Sequence, residues 1–333
     1  MRNSKWSKRI VETICTAIFL IVLIGIAAIY SAEILKSHAV VPGEADPFIY
    51  EDKVYAYNHD LINILCMGID SYESLEKDAA QSERGQADAV YLISLNTKTR
   101  DVKVLSIPRD IMVPIEIYDA SGKRIATQSA QLTLQYAYGK SEKESCKLMS
   151  QRVSDLLGNI PIHRYCALNF NAIPYMNDAV GGIEVTMDPN YVDASLATTS
   201  PDFRPGNTVL LQGGMSLNYL HIRDITTYAS AAERMERQKN YIRKYIEKAK
   251  VMIKQEPKII FQMYKVLDVN MTTDINNTEL LSLATYLENM KFEADDIVSL
   301  NGTRIKGEKY EEVYIDDEET KKVLTEVFFE EVQ

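Results

Sequence analysis

The sequence predicts a layered α/β domain with a central mixed β-sheet flanked by helices, carried behind an N-terminal transmembrane helix. Three observations predict it. Short apolar runs ending at Gly or Pro alternate with helix-periodic segments over about 270 residues. An uncharged, mostly apolar run fills residues 13–30. No later segment approaches 18 apolar residues, so the remaining chain has to form its own core.

The anchor comes first. Its 18 residues would span roughly 27 Å as a helix, close to a hydrocarbon thickness. Arg2, Lys5, Lys8 and Arg9 precede it with Glu12 as the single acid, which keeps the N-terminus inside and the rest outside. A cleaved signal peptide is the rival reading, but Ile29-Tyr30-Ser31-Ala32-Glu33 makes a poor small-residue cleavage site. The organisation expected is a basic cytoplasmic tail at 1–9, a transmembrane helix at 10–30 and an extracytoplasmic stalk at 31–58. The main domain covers 59–305, and an acidic C-terminal extension covers 306–333.

Without the tail and anchor, 33 basic and 46 acidic residues remain, a net charge of −13. A generic nucleic-acid surface is basic, so no nucleic-acid partner is expected. Any phosphate site must be a local cluster in an acidic body. Cys146 and Cys166 would have to pair across a helix and a strand, and two buried thiols fit the sequence better than a bridge.

Along the main domain, Asn63–Gly68 reads as a buried strand entering a polar connection over 71–86. Strands follow at 89–95 and 102–107 around the turn 96–101. Residues 132–139 and 141–157 read as helices, 164–170 as a strand and 171–180 as a helix. Residues 183–187 form a strand, and 188–213 a polar excursion. A long helix covers 233–254, a further helix 279–290 and a strand 297–300. An amphipathic helix carrying Val323, Leu324, Val327 and Phe328 closes the chain.

Several positions carry chemistry. Arg234, Arg237 and Gln238 stand at i, i+3 and i+4 and share a helix face suited to an anion. Upstream, Tyr219-Leu220-His221-Ile222-Arg223 alternates, so a strand there would put Tyr219, His221 and Arg223 on one side. Glu233, Glu236 and Asp224 offer the competing reading of a salt-bridged, solvated face. Asp70 follows a buried strand and Asp88 begins the next. Two carboxylates on adjacent strand ends suit one hard cation such as Mg²⁺, with turn capping as the alternative. Arg109 follows Ile107-Pro108 directly, with Asp110 as an available partner.

These pieces jointly resemble the LytR-CpsA-Psr (LCP) family of membrane-anchored phosphotransferases of Gram-positive bacteria. The stretches that carry the likeness are Ile64–Asp70, Ala87-Asp88-Ala89, Leu105–Asp110, Tyr136-Ala137-Tyr138-Gly139, Asp178–Val185, Tyr219–Arg223 and Arg234–Gln238. Each is weak alone; seven in the family's order behind an anchor are specific. The resemblance implies an LCP-like catalytic domain over 59–305. It implies transfer of an anionic glycopolymer, a teichoic acid or capsule-like polysaccharide, from a polyprenyl-pyrophosphate carrier to peptidoglycan. Asp70 and Asp88 resemble the Mg²⁺-binding aspartates. Arg109, Arg223, Arg234, Arg237 and Gln238 resemble the residues that hold the pyrophosphate, and His221 stands among them. Two departures are visible: His221 occupies a position where the family usually has arginine, and so does Gln86, with Arg84 nearby as a substitute. The same residues would also serve a polyprenyl-pyrophosphate hydrolase, or a lipid-binding regulatory protein without turnover.

Overall fold

The computed structural model describes residues 39–71, 75, 85–119, 121–190, 192–222, 224, 230–256, 264–265, 267–276, 279, 290–291, 296–307 and 311–332. The tail and anchor expected at 1–30 lie outside these residues, as do Arg84, Arg223 and most of the helix expected at 279–290. Among the described residues no helix is long and apolar enough to cross a membrane.

The centre is a six-stranded mixed sheet. It uses β3 (Leu61–Ile69), β4 (Ala87–Asn96), β5 (Val102–Ile107), β8 (Arg164–Asn169), β11 (Met271–Thr273) and β12 (Ile297–Ser299). The order is β11-β8-β3-β4-β5-β12. β3 pairs antiparallel with β4 and parallel with β8, while β5 pairs antiparallel with β4 and parallel with β12. All nine residues of β3 are buried, because helices and strands cover both sheet faces. Ile62, Ile64 and Cys66 point to one core and Leu65, Met67 and Ile69 to the other.

On the first face lie α2 (Ala172–Ala179), the ribbon of β9 (Ile183–Thr186) with β10 (Thr208–Leu211), α4 (Gly214–His221) and α5 (Ser230–Gln255). On the second lie a 3₁₀ helix (Leu132–Tyr138), α1 (Glu142–Leu156) and α6 (Asp317–Val327). The short α3 (Ala194–Ala197) sits in the excursion. The helix starts follow ordinary capping chemistry. Ser141 accepts from the Glu144 N–H at 3.2 Å and Asp316 from the Glu319 N–H at 2.7 Å. The α2–β9 turn needs glycine: Gly182 has φ of 76°, and a Cβ there would lie 2.5 Å from the Leu211 carbonyl oxygen.

The layered α/β expectation matches this architecture, three local expectations need correction, and one unassigned stretch is filled. The expected stalk contains two strands: β1 (Phe48–Tyr50) and β2 (Lys53–Tyr57) pair, and β2 also pairs with β15 (Phe329–Val332). The C-terminal segment is therefore part of the domain, with Val323, Leu324, Val327 and Phe328 buried in the second core. The unassigned stretch after Arg109 is a hairpin of β6 (Met112–Tyr118) and β7 (Arg124–Gln131). The 219–223 segment is not a strand, because α4 runs through His221 and buries Ser216, Tyr219 and Leu220 at helical spacing. A second hairpin, β13 (Thr303–Lys306) with β14 (Glu311–Tyr314), follows β12. Cys66, Cys146 and Cys166 are buried free thiols, so Cys146 and Cys166 do not pair.

The sheet edge at the start of β8 carries a buried polar group. Arg164 meets Glu279 at 2.6 Å, and the Tyr165 N–H donates to Asp274 at 2.8 Å. Burial raises the Asp274 carboxyl from 3.8 to about 6, against the opposing pull of the Tyr165 N–H and Arg164. The native state thus binds this proton more tightly than the unfolded chain. The group's stability contribution is complete below pH 3.8 and is lost as pH rises through about 6. Asp274→Asn keeps the acceptor for Tyr165 and removes the charge. It is expected to stabilise the domain by roughly 1–3 kcal/mol at neutral pH and to leave stability near pH 4 unchanged. Urea unfolding across that range checks it; equal stability of the two proteins at neutral pH would refute the assignment.

Candidate active site

Strands β3, β5 and β8 end, and β4 begins, on one sheet edge. Three neighbouring strands therefore deliver Asp70, Asp88 and Arg109 to one place. The register explains Asp88. Gly68 pairs with Ala89 and Ile69 with Ala87, so Asp88 is the extra residue of a β-bulge. The ladder above the bulge is closed by backbone: the Asp70 N–H donates to the Gln86 carbonyl at 3.1 Å, and the Gln86 N–H donates to Asp70 Oδ1 at 2.6 Å. Gln86 is thus placed through its main chain beside both aspartates, and its carbonyl also accepts from the Asp88 N–H at 3.0 Å. Gly85 is a close-approach glycine, since a Cβ would lie 2.7 Å from Ile69 Cγ2 and 3.0 Å from Asp70 Oδ1.

Asp88 is fully buried, and Arg109 Nη1 contacts its Oδ1. Arg109 is 11% exposed in its side chain, and its Nε lies 3.5 Å from Asp110 Oδ1. Gln131 Nε2 donates to the same Asp110 oxygen at 2.9 Å. The Arg109 carbonyl accepts from the Thr133 N–H at 3.0 Å. The β6–β7 hairpin and the 3₁₀ helix therefore hold Arg109 from behind. The result is a nearly desolvated ion pair, whose mutual attraction offsets the cost of taking both charges out of water.

The other side of the site comes from β8 and α4. Asn169 ends β8 opposite Ile69 and is fully buried. The Phe170 N–H donates to the Ser71 carbonyl at 3.2 Å, tying this corner to the residue after Asp70. The His221 ring stands 6.0 Å from the Phe170 ring in an edge-on arrangement. The end of α4 is therefore at the same sheet edge, although by a helix and not by the expected strand. Asn169 was missed by the sequence reading. Its signal was the one that marked Asp70, a polar side chain at the end of a buried strand.

Arg237 comes from the first turns of α5 and is buried. Its Nη1 donates to the Tyr219 carbonyl, and its Nη2 donates to the Ile222 carbonyl at 2.8 Å. Its Cζ lies 5.5 Å from the centre of the Tyr219 ring. The guanidinium thus caps the C-terminus of α4, where unpaired carbonyls favour a cation. On the far side of position 223, the Asp224 N–H donates to Asp193 Oδ1 at 3.0 Å and Oδ2 at 2.8 Å. Arg223 itself lies outside the described residues. Arg234 and Gln238 lie in α5, and their side chains are outside the description.

Among the described residues no group of three or more His, Cys, Asp or Glu side chains is placed to hold a metal. The donor set at the edge is two carboxylates, Asp70 and Asp88. Such a set fits a cation that completes its shell with water and phosphate oxygens, as Mg²⁺ does, and does not fit zinc.

The model of the LytR_cpsA_psr family matches residues 34–328. Biofilm regulatory protein A of Streptococcus mutans is 28% identical over 260 residues, which cover 75% of this chain and 59% of that protein. The polyisoprenyl-teichoic acid–peptidoglycan teichoic acid transferase TagV of Bacillus subtilis is 26% identical, covering 72% of this chain and 56% of that one. The transferase of the same description named TagU from Oceanobacillus iheyensis is 25% identical, covering 94% and 91%. The chain thus spans 59% and 56% of the first two relatives and nearly all of the third. Among solved structures, TagT bound to LIIa-WTA aligns with a TM-score of 0.55 at 21% identity, over 80% of this chain and 89% of that one. The crystal structure of B. subtilis TagV aligns with a TM-score of 0.56 at 23% identity, over 80% and 96%. With the family match running through both sheet edges and the candidate site, this chain belongs to the LytR-CpsA-Psr family.

Proposed function

We propose that this protein is a membrane-anchored phosphotransferase that moves an anionic glycopolymer from a polyprenyl-pyrophosphate carrier to peptidoglycan. The observation that carries the reading is the convergence of Asp70, Asp88 and Arg109 on one edge of three adjacent strands. The names of the related transferases supply the substrate class. In this reading residues 10–30 anchor the chain, and the domain works outside the membrane. The reaction joins an acceptor hydroxyl to the sugar-side phosphorus, breaks the bond to the lipid phosphate and leaves a phosphodiester.

Such chemistry needs positioning and charge neutralisation more than a covalent intermediate. Asp70 and Asp88 would hold Mg²⁺, which neutralises phosphate charge when bound. Arg109, Arg223, Arg234 and Gln238 would meet the pyrophosphate beside His221. Arg237 contributes through the carbonyls it fixes on either side of His221. The near-complete burial of Asp88 and Arg109 strengthens their local field, because little water screens it.

Incubating the full chain with a lipid-pyrophosphate saccharide and peptidoglycan fragments tests the proposal. A transferase yields a saccharide–muropeptide phosphodiester; release of phosphorylated saccharide alone would make the protein a hydrolase. His221 stands half-buried beside Phe170 and lacks the fixed charge of an arginine. His221→Arg is expected to preserve or raise transfer in that assay. A loss of tenfold or more would show that the imidazole has its own role.

A further inference from the structure

The acidic domain carries one long basic element, and it begins at the candidate site. Between Lys239 and Gln255, α5 has six cations, Lys239, Arg243, Lys244, Lys248, Lys250 and Lys254, against Glu247 alone. The rest of the extracytoplasmic chain is strongly acidic, so this concentration is local. Arg237, Tyr241, Tyr245, Ala249 and Ile253 mark the buried stripe of the helix. Arg243, Lys250 and Lys254 fall within about 40° of one another on the opposite side. Arg243 is exposed, and its pairing with Glu247 at 3.5 Å joins two side chains that are 65% and 62% exposed, a weak and exchangeable contact.

The flank of the helix is also cationic. Lys244 Nζ donates to the Glu184 carbonyl at 2.9 Å, and Lys248 Nζ donates to the Gly181 and Gly182 carbonyls at 3.1 and 2.6 Å. These contacts fix two positive charges beside the outer row without neutralising them. Glu184, whose carbonyl takes the Lys244 contact, is itself an exposed acid on β9. The helix dipole accounts for a cation at Lys254, in the last turn. It does not account for Arg243 and Lys244 in the helix middle.

The position of the row gives it a direction. Arg237 ties the start of α5 to the residues flanking His221. Arg243 is six residues further on, about 9 Å along the axis, and Lys254 a further ~16 Å. The row runs along the axis away from Arg237 but on the side of the helix opposite the buried stripe, so a chain of phosphodiesters leaving the pyrophosphate site has to pass over the helix to meet it.

We infer that the outer face of α5 is a binding surface for the polyanionic part of the glycopolymer donor, recognised through its repeating phosphates. This inference rests on the transferase reading of the site. It adds that donor selection acts on the polymer as well as on the lipid-pyrophosphate linkage.

The test uses the full chain and a triple variant, Arg243→Gln, Lys250→Gln and Lys254→Gln, with circular dichroism as a check on folding. Two donors are compared: a lipid-pyrophosphate disaccharide without polymer, and the same donor extended with poly(glycerol phosphate). The variant is expected to raise the KM for the extended donor on the order of tenfold at low salt and to flatten its salt dependence. The short donor should be unaffected. An equal effect on both donors, or on neither, would overturn the inference. Binding of soluble poly(glycerol phosphate), with no lipid, is measured in parallel. If neither donor turns over, the transferase reading fails, while this binding still decides whether the surface exists. Indistinguishable binding by the two proteins would dismiss it.

Discussion

Arg109→Met is expected to lower transfer on the order of a hundredfold or more and to destabilise the domain by about 3–5 kcal/mol. Both effects come from one contact. Asp88 is fully buried, and the Arg109 guanidinium meets it directly. Removing the cation leaves the carboxylate in a medium that screens it poorly, and this penalty exceeds the modest net value of the intact pair. The functional loss has a separate origin, since in the proposed mechanism the arginine also meets the phosphate charge. Pairing the change with Asp88→Asn distinguishes the two. The double variant removes both charges and should recover much of the lost stability. It should recover no activity, because the edge then lacks both the arginine proposed to neutralise phosphate and one of the two carboxylates proposed to hold the cation. Urea midpoints and product formation, measured on all three variants, check this. Near-normal turnover by Arg109→Met would remove the residue from the site.

The second large effect is expected at Arg237. Its guanidinium spans two carbonyls, those of Tyr219 and Ile222, at the end of α4. Arg237→Leu removes two charge-assisted hydrogen bonds in a buried setting and should cost about 2–4 kcal/mol. The end of α4 then loses its cap, and His221 and Ile222 lose the contact that fixes them. Donor KM should rise on the order of tenfold or more, because misplaced binding groups weaken capture. Arg237→Lys should recover only part of the stability, since one ammonium cannot reproduce a planar fork. Unchanged stability with a loss confined to kcat would instead mean that Arg237 acts on the substrate directly.

Much of the sheet edge was legible because its strands are buried on both faces. A continuous apolar run bounded by Gly or Pro identifies such a strand, and the polar residue that follows then becomes conspicuous, as Asp70 and Arg109 did. Asn169 follows the same rule but attracts less notice, since an uncharged amide has many structural uses. The exposed hairpin of β6 and β7 was not legible: most residues of β7 are solvent-facing, so its alternation lacks contrast. The five residues from Tyr219 to Arg223 were too few to separate a period of two from one of 3.6. The buried Ser216, Tyr219 and Leu220 settle it, because only a helix places them together. The pairing of β2 with β15 is absent from local pattern for another reason. Its partners lie more than 270 residues apart, and only tertiary structure brings them together.

That last pairing sets the timing of folding. β2 lies between β1 and β15, so a strand made early in the chain is completed by one made more than 270 residues later. During synthesis the early strands are made first and wait with an open edge until residues 329–332 follow. Long-range closure of this kind is slow, and an unpaired edge invites association with other chains meanwhile. The waiting strands are short: three residues in β1 and five in β2. Short edges are poor templates for aggregation, and so a late-closing domain stays tractable while the chain is still being made.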